Sequence, residues 1–157
     1  MTEPQLLLTD LIERYVRRRG RRYFSGQHDG EYFFIADALP RRLYVHLGVS
    51  RWHSDVFTIR IAPAYFFPAA EDARLAQLTD AWNQQNPELM AVVHASSDPQ
   101  RVGVYVTSSR RIRNSIPFED FASFVNQTIA AGTELFGELA VLTDLPSTQL
   151  SLLRQAG

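Results

Sequence analysis

The sequence predicts an α+β fold in one domain, in the order helix, three-stranded meander, helix, hairpin, helix. Three observations carry this. Val56–Ile61 alternates apolar and polar residues with the period of a half-buried strand. Leu75, Leu78 and Trp82 repeat at helical spacing, and Pro87 stops that helix one residue after Asn86. The connections between the early strands are too short for parallel crossovers, so the pairing is antiparallel.

Taken in order, Leu7, Leu8, Leu11, Ile12, Tyr15 and Val16 mark an amphipathic helix over 4–19. Thr2 is its candidate N-cap, Pro4 lies in the first turn and Gly20 suits the left-handed position after the last. Tyr23–Phe24 is a short strand, and Asp29-Gly30 turns the chain into an aromatic strand over 31–37. Leu43, Val45, Leu47 and Val49 form one face of the next strand, with Tyr44 and His46 on the other. Phe57, Ile59 and Ile61 form the inner face of the third. Pro63–Pro68 is an apolar linker expected to cover the core. The helix over 71–85 turns Leu75, Leu78 and Trp82 inward. Strands over 89–95 and 101–108 make a hairpin, with Val102, Val104 and Val106 on one face and Tyr105 on the other.

Arg110–Arg113 falls in the loop before the longest helix, which Pro117 opens and Ser115 caps. That helix runs over 118–140 on Phe118, Phe121, Val125, Ile129, Leu135, Phe136 and Leu139, with Gly132 and Gly137 expected to bend or fray its later turns. The domain core spans about 4–142. Residues 143–157 form a C-terminal extension in which Ser147–Gln155 reads as a short helix.

The 157 residues suit one domain with a sizeable core. The absence of cysteine excludes disulfides, thiolate catalysis and Cys-ligated zinc. The net charge is −1, and all sixteen basic residues are arginine, a pattern of coding bias in a GC-rich bacterial genome. The N-terminus is not a signal peptide, and no apolar run is long enough to span a membrane, so a cytoplasmic location is expected.

Motifs for chemistry are missing. His28, His46, His53 and His94 follow no metal-ligand spacing, and His46 and His94 read as exposed strand histidines. There is no Gly-x-Ser-x-Gly elbow and no Gly-rich phosphate loop. The expectation is a protein that is not an enzyme and binds no cofactor and no metal.

Two binding features remain. Tyr44, His46 and Tyr105 on one sheet face, with Trp52 in a neighbouring loop, form a candidate peptide-binding surface. The alternative is nucleic-acid binding by Arg17, Arg18, Arg19, Arg21 and Arg22 with Arg110, Arg111 and Arg113, which requires the two clusters to meet in space. Solvated charge is the simpler account of both clusters.

The order of elements, Asp29-Gly30-Glu31 before a strand, Trp82–Pro87 with Asn83-x-x-Asn86 ending the middle helix, and Phe118–Ile129 in the last helix resemble the YbjN family. That family is grouped with type III secretion chaperones of the CesT and SycE kind. The resemblance covers about Leu6 to Leu139 and implies an α-β-β-β-α-β-β-α sandwich, often dimeric, with helices on a twisted antiparallel sheet. It implies a peptide-binding or regulatory adaptor without a cofactor, acting on a protein or peptide client as a homodimer. Secretion chaperones of this fold tend to be acidic, whereas this chain is near neutral. Asn83 and Asn86 read as loop-bracing residues, because asparagine readily bonds nearby backbone.

Overall fold

A computed structural model describes residues 3–38, 41–113 and 116–142. Among the described residues, three helices, α1 (Glu3–Arg19), α2 (Asp72–Gln85) and α3 (Phe118–Leu139), pack on a seven-stranded antiparallel sheet. The strands are β1 (Tyr23–Ser25), β2 (Tyr32–Ala38), β3 (Arg41–Val49), β4 (Val56–Pro63), β5 (Phe67–Pro68), β6 (Met90–Ala95) and β7 (Arg101–Arg111). The α+β class and the order of elements agree with the sequence. Thr2, Ser115 and Ser147–Gln155 lie outside the described residues.

The sheet order is β1-β2-β3-β4-β7-β5, with β6 on the remaining edge of β7. Strand β7 is the junction: residues 102–107 pair with β6 and residues 106–111 with β4. Arg110 and Arg111 therefore sit in β7 and not in a loop, because the ladder with Phe57 and Val56 carries the strand past Ser108. The linker after β4 also does more than cover the core. Ile61 stands opposite Val106, so an unbroken register would set Tyr65 opposite Val102; Phe67 stands there instead. The chain bulges over 62–66 and rejoins β7 as β5, burying Phe67 and leaving Phe66 exposed.

All three helices feed one core. Leu8, Ile12, Tyr15 and Val16 of α1, Leu75 and Trp82 of α2, and Phe121, Val125, Leu135, Phe136 and Leu139 of α3 are buried. They form one cluster with Phe34, Leu43, Val45, Leu47, Phe57, Ile59, Ile61, Val104 and Val106 of the sheet. Each such side chain contributes on the order of 1.5–3 kcal/mol by leaving water. Leu78 is exposed, contrary to the helical pattern, and Thr79 is buried instead, donating its hydroxyl to Ala76 O at 3.1 Å. The buried stripe of α2 steps from Leu75 by four and three residues to Thr79 and Trp82, which leaves Leu78 at its margin.

Neither glycine of α3 ends the helix. Gly132 is buried where a Cβ would come 3.1 Å from Ile61 Cδ1, so its lack of a side chain lets α3 approach β4. Gly30 has φ of 79°, and a Cβ there would meet Thr9 of α1, so the β1–β2 turn is both left-handed and pressed on the helix.

Candidate functional site

Strand alternation gives the sheet two unlike faces. The face against the helices is apolar. Across the other runs one row of facing residues, Phe24, Phe33, His46, Arg60, Thr107 and Met90, contributed by six neighbouring strands. No helix covers this face among the described residues. Phe24, Phe33, Tyr44 and Met90 are each 42–56% exposed, and Trp52 beside them is 86% exposed. The row is apolar at both ends and polar in the middle.

The structure brings the four sequence-predicted residues onto this side. Tyr44 and His46 project from β3, next to Ala62 and Arg60 of β4. Tyr105 projects from β7, and the Arg60 guanidinium lies 4.1 Å from its ring centroid. The His94 ring lies 5.4 Å from the same ring on its other flank. Trp52 stands in the β3–β4 loop, where its backbone N–H donates to Ser50 Oγ at 3.2 Å. A shallow concavity of about 840 Å³ opens between that loop, the β1–β2 turn and the strands, with His46, Trp52 and Arg60 in its lining.

His46 is not the free surface histidine the pattern suggested. It is half-buried, its ring 4.6 Å from that of Phe33, and its Nε2 lies 2.8 Å from Glu31 Oε2. An ionised carboxylate only accepts, so Nε2–H is the donor. The other oxygen of Glu31 accepts the backbone N–H groups of Gln27 and His28, at 2.8 and 3.3 Å. The His46 hydrogen bond first, helped by these N–H groups, holds the Glu31 carboxyl below the usual carboxylate range. Glu31 thus ties the β1–β2 turn to β3, a role its place after Asp29-Gly30 did not disclose.

The arginine clusters are split by the fold. Arg17, Arg18 and Arg113 do meet, in a groove of about 600 Å³ between α1 and the side chains of Ile112, Arg113 and Ile116 that also holds Asp10, Glu13 and Leu7. Arg17 pairs with Glu13 at 2.6 Å, and Arg18 lies 3.6 Å from Glu119. Arg19 stacks on Phe34, Arg110 stacks on Phe124, and Arg111 donates to Asp55 at 2.9 Å. Arg21 and Arg22 follow the end of α1, past Gly20. Much of this charge is spent on intramolecular partners and does not form one continuous basic surface.

Sets of three or more metal-ligating side chains are absent among the described residues. No helix among them is long and apolar enough to cross a membrane. Asn83 and Asn86 brace the end of α2: Asn86 Nδ2 donates to Trp82 O at 2.9 Å, and Asn83 bonds the backbone of Ala91.

No protein-family model matches the chain, and no curated protein matches it. Among solved structures it is similar to that of YbjN from E. coli, described as "a putative transcription regulator". The likeness has a TM-score of 0.66 at 14% sequence identity and covers 84% of this chain and 90% of that one. At such low identity the shared property is the fold, and the fold of this chain is YbjN-like.

Proposed function

We propose that this chain is a non-catalytic protein-binding module that receives a peptide segment of its client on the open face of the sheet. The observation that carries the reading is the uncovered row with Phe24, Phe33 and Met90 in it and Tyr44 and Trp52 beside it. Exposed aromatic side chains grouped on a rigid surface favour partner binding, because they bury large area at low entropic cost. The reading also expects a cytoplasmic homodimer acting as an adaptor or chaperone-like regulator without a cofactor; sedimentation equilibrium and cell fractionation check these points.

The test is selection of peptides from a displayed library on the intact chain, followed by titration of the selected peptides against Tyr44→Ala and Tyr105→Ala. Loss of a binding aromatic costs on the order of 1–2 kcal/mol, so affinity falls about tenfold while the melting temperature holds. Unchanged affinity in both variants overturns this use of the face.

A second reading is nucleic-acid binding through the α1 groove. It is supported by the meeting of Arg17, Arg18 and Arg113 and by the description of the YbjN neighbour as "a putative transcription regulator". Such binding weakens steeply with salt. A labelled duplex that gives no anisotropy change even at low salt ends this reading.

A further inference from the structure

From the arrangement of the open face we infer that its client segment is acidic, with a carboxylate seated on Arg60 between two apolar anchors. The inference rests on the protein-binding reading and names the chemistry of the partner. Arg60 stands at the middle of the row, flanked by His46 on β3 and Thr107 on β7. Its guanidinium is held over the Tyr105 ring and has no carboxylate partner among the described residues. His46, by contrast, is taken up by Glu31. Thr107 Oγ1 already donates to Ile59 O at 3.1 Å, and Thr58 and Ser109 face each other two residues along the strands. A guanidinium pre-positioned by stacking presents its remaining N–H groups to an incoming carboxylate with little further loss of freedom.

The spacing is set by the sheet. Phe33 and Met90 each lie two strands from Arg60 in the row, on opposite sides. Strands are about 4.8 Å apart, so each anchor is roughly 10 Å from the cation, about one three-residue turn of a polyproline II segment, which returns residues three apart to the same side. A segment in the polyproline II conformation, with an acidic residue and apolar residues three before and three after it, matches the row in both charge and distance. A polynucleotide matches less well. Its phosphates call for a run of cations, whereas the concavity has two arginines, Arg51 and Arg60, set against Asp29 and Glu31.

The probe is an acetylated, amidated peptide of serines with a central glutamate and a phenylalanine three residues to either side. It is compared with the same peptide carrying glutamine at the centre, each titrated into the intact protein by amide chemical shifts and Trp52 fluorescence. The glutamate peptide is expected to bind about tenfold more tightly, as one charge-assisted contact allows. Arg60→Gln abolishes that preference, Arg60→Lys retains most of it, and Arg74→Gln on the exposed side of α2 leaves it intact.

Equal binding of the two peptides, reduced in Trp52→Ala, overturns the acidic preference and leaves the open-face reading standing. Equal binding insensitive to Trp52→Ala and Tyr44→Ala overturns both. A single-stranded oligonucleotide that displaces the glutamate peptide and binds more tightly also overturns the acidic-peptide assignment.

Discussion

The side-chain amide of Asn83 pairs with the backbone of Ala91 as a neighbouring strand would. Nδ2 donates to Ala91 O at 3.1 Å, and Oδ1 accepts the Ala91 N–H at 2.7 Å. Strand β6 pairs only with β7 among the described residues, so its outer edge offers backbone groups to any passing strand. Asn83 covers that edge at Ala91 and fixes the end of α2 to the strand that follows it. Replacing Asn83 with alanine leaves a half-buried N–H and C=O without these partners, at a cost of about 2 kcal/mol. Urea unfolding measures the loss, and light scattering on warming should rise relative to wild type; a variant as stable and as soluble as wild type contradicts the edge-capping role.

The β1–β2 turn depends on pH through Glu31. Its carboxyl is held below the ordinary value of 4.5, so the folded state favours the ionised form. A depressed carboxylate contributes stability above the unfolded-state value and loses it as pH falls through the folded one. The difference in urea midpoint between wild type and Glu31→Gln should be full near neutral pH and close on acidification below about pH 4.5. A difference that does not change with pH rules out the ionised Glu31–His46 pair as its source.

Gly30 and Gly20 are both left-handed, with φ of 79° and 68°, but only Gly30 faces another element. Gly20→Ala meets open space and costs the conformational penalty alone, about 1–2 kcal/mol. Gly30→Ala adds a clash with Thr9 Cγ2 and should cost more. Comparison of the two midpoints decides this, and equal losses contradict the pressed contact between turn and helix.

The two glycines of α3 should respond in opposite ways. A side chain at Gly137 meets nothing within 4 Å, so Gly137→Ala should stabilise by up to about 1 kcal/mol through helix propensity. At Gly132 the same gain is opposed by Ile61, and Gly132→Leu should destabilise by about 1–3 kcal/mol through overpacking. Thermal melts of the two variants separate these effects, and a stable Gly132→Leu contradicts the close approach of α3 to β4.

The two tryptophans differ in exposure, 86% for Trp52 and 5% for Trp82. Acrylamide should quench one emission component freely and leave the other protected, and Trp52→Phe should remove the quenchable one. Uniform quenching of both contradicts the burial of Trp82 under the sheet.

The sequence by itself determined the helices, most of the strands and the inner face of each. Repeats of two and of about 3.6 residues are local, and Leu43, Val45 and Leu47 or Phe121 and Val125 declare their core side wherever the element is placed. It also put Tyr44, His46 and Tyr105 together on one face, by alternation alone. What it left out is non-local. Which sheet face stays uncovered depends on where the helices dock, and β5 exists only because Phe67 finds Val102 after a bulge. Glu31 and His46 are fifteen residues apart and meet because β2 and β3 pair. The arginine clusters read as two blocks in the chain, yet β7 sends Arg110 and Arg111 to opposite sides and the groove along α1 takes Arg113. Charge has no period that announces its partner, so only the tertiary structure decided which arginines are spent and that Arg60 lacks a carboxylate partner among the described residues.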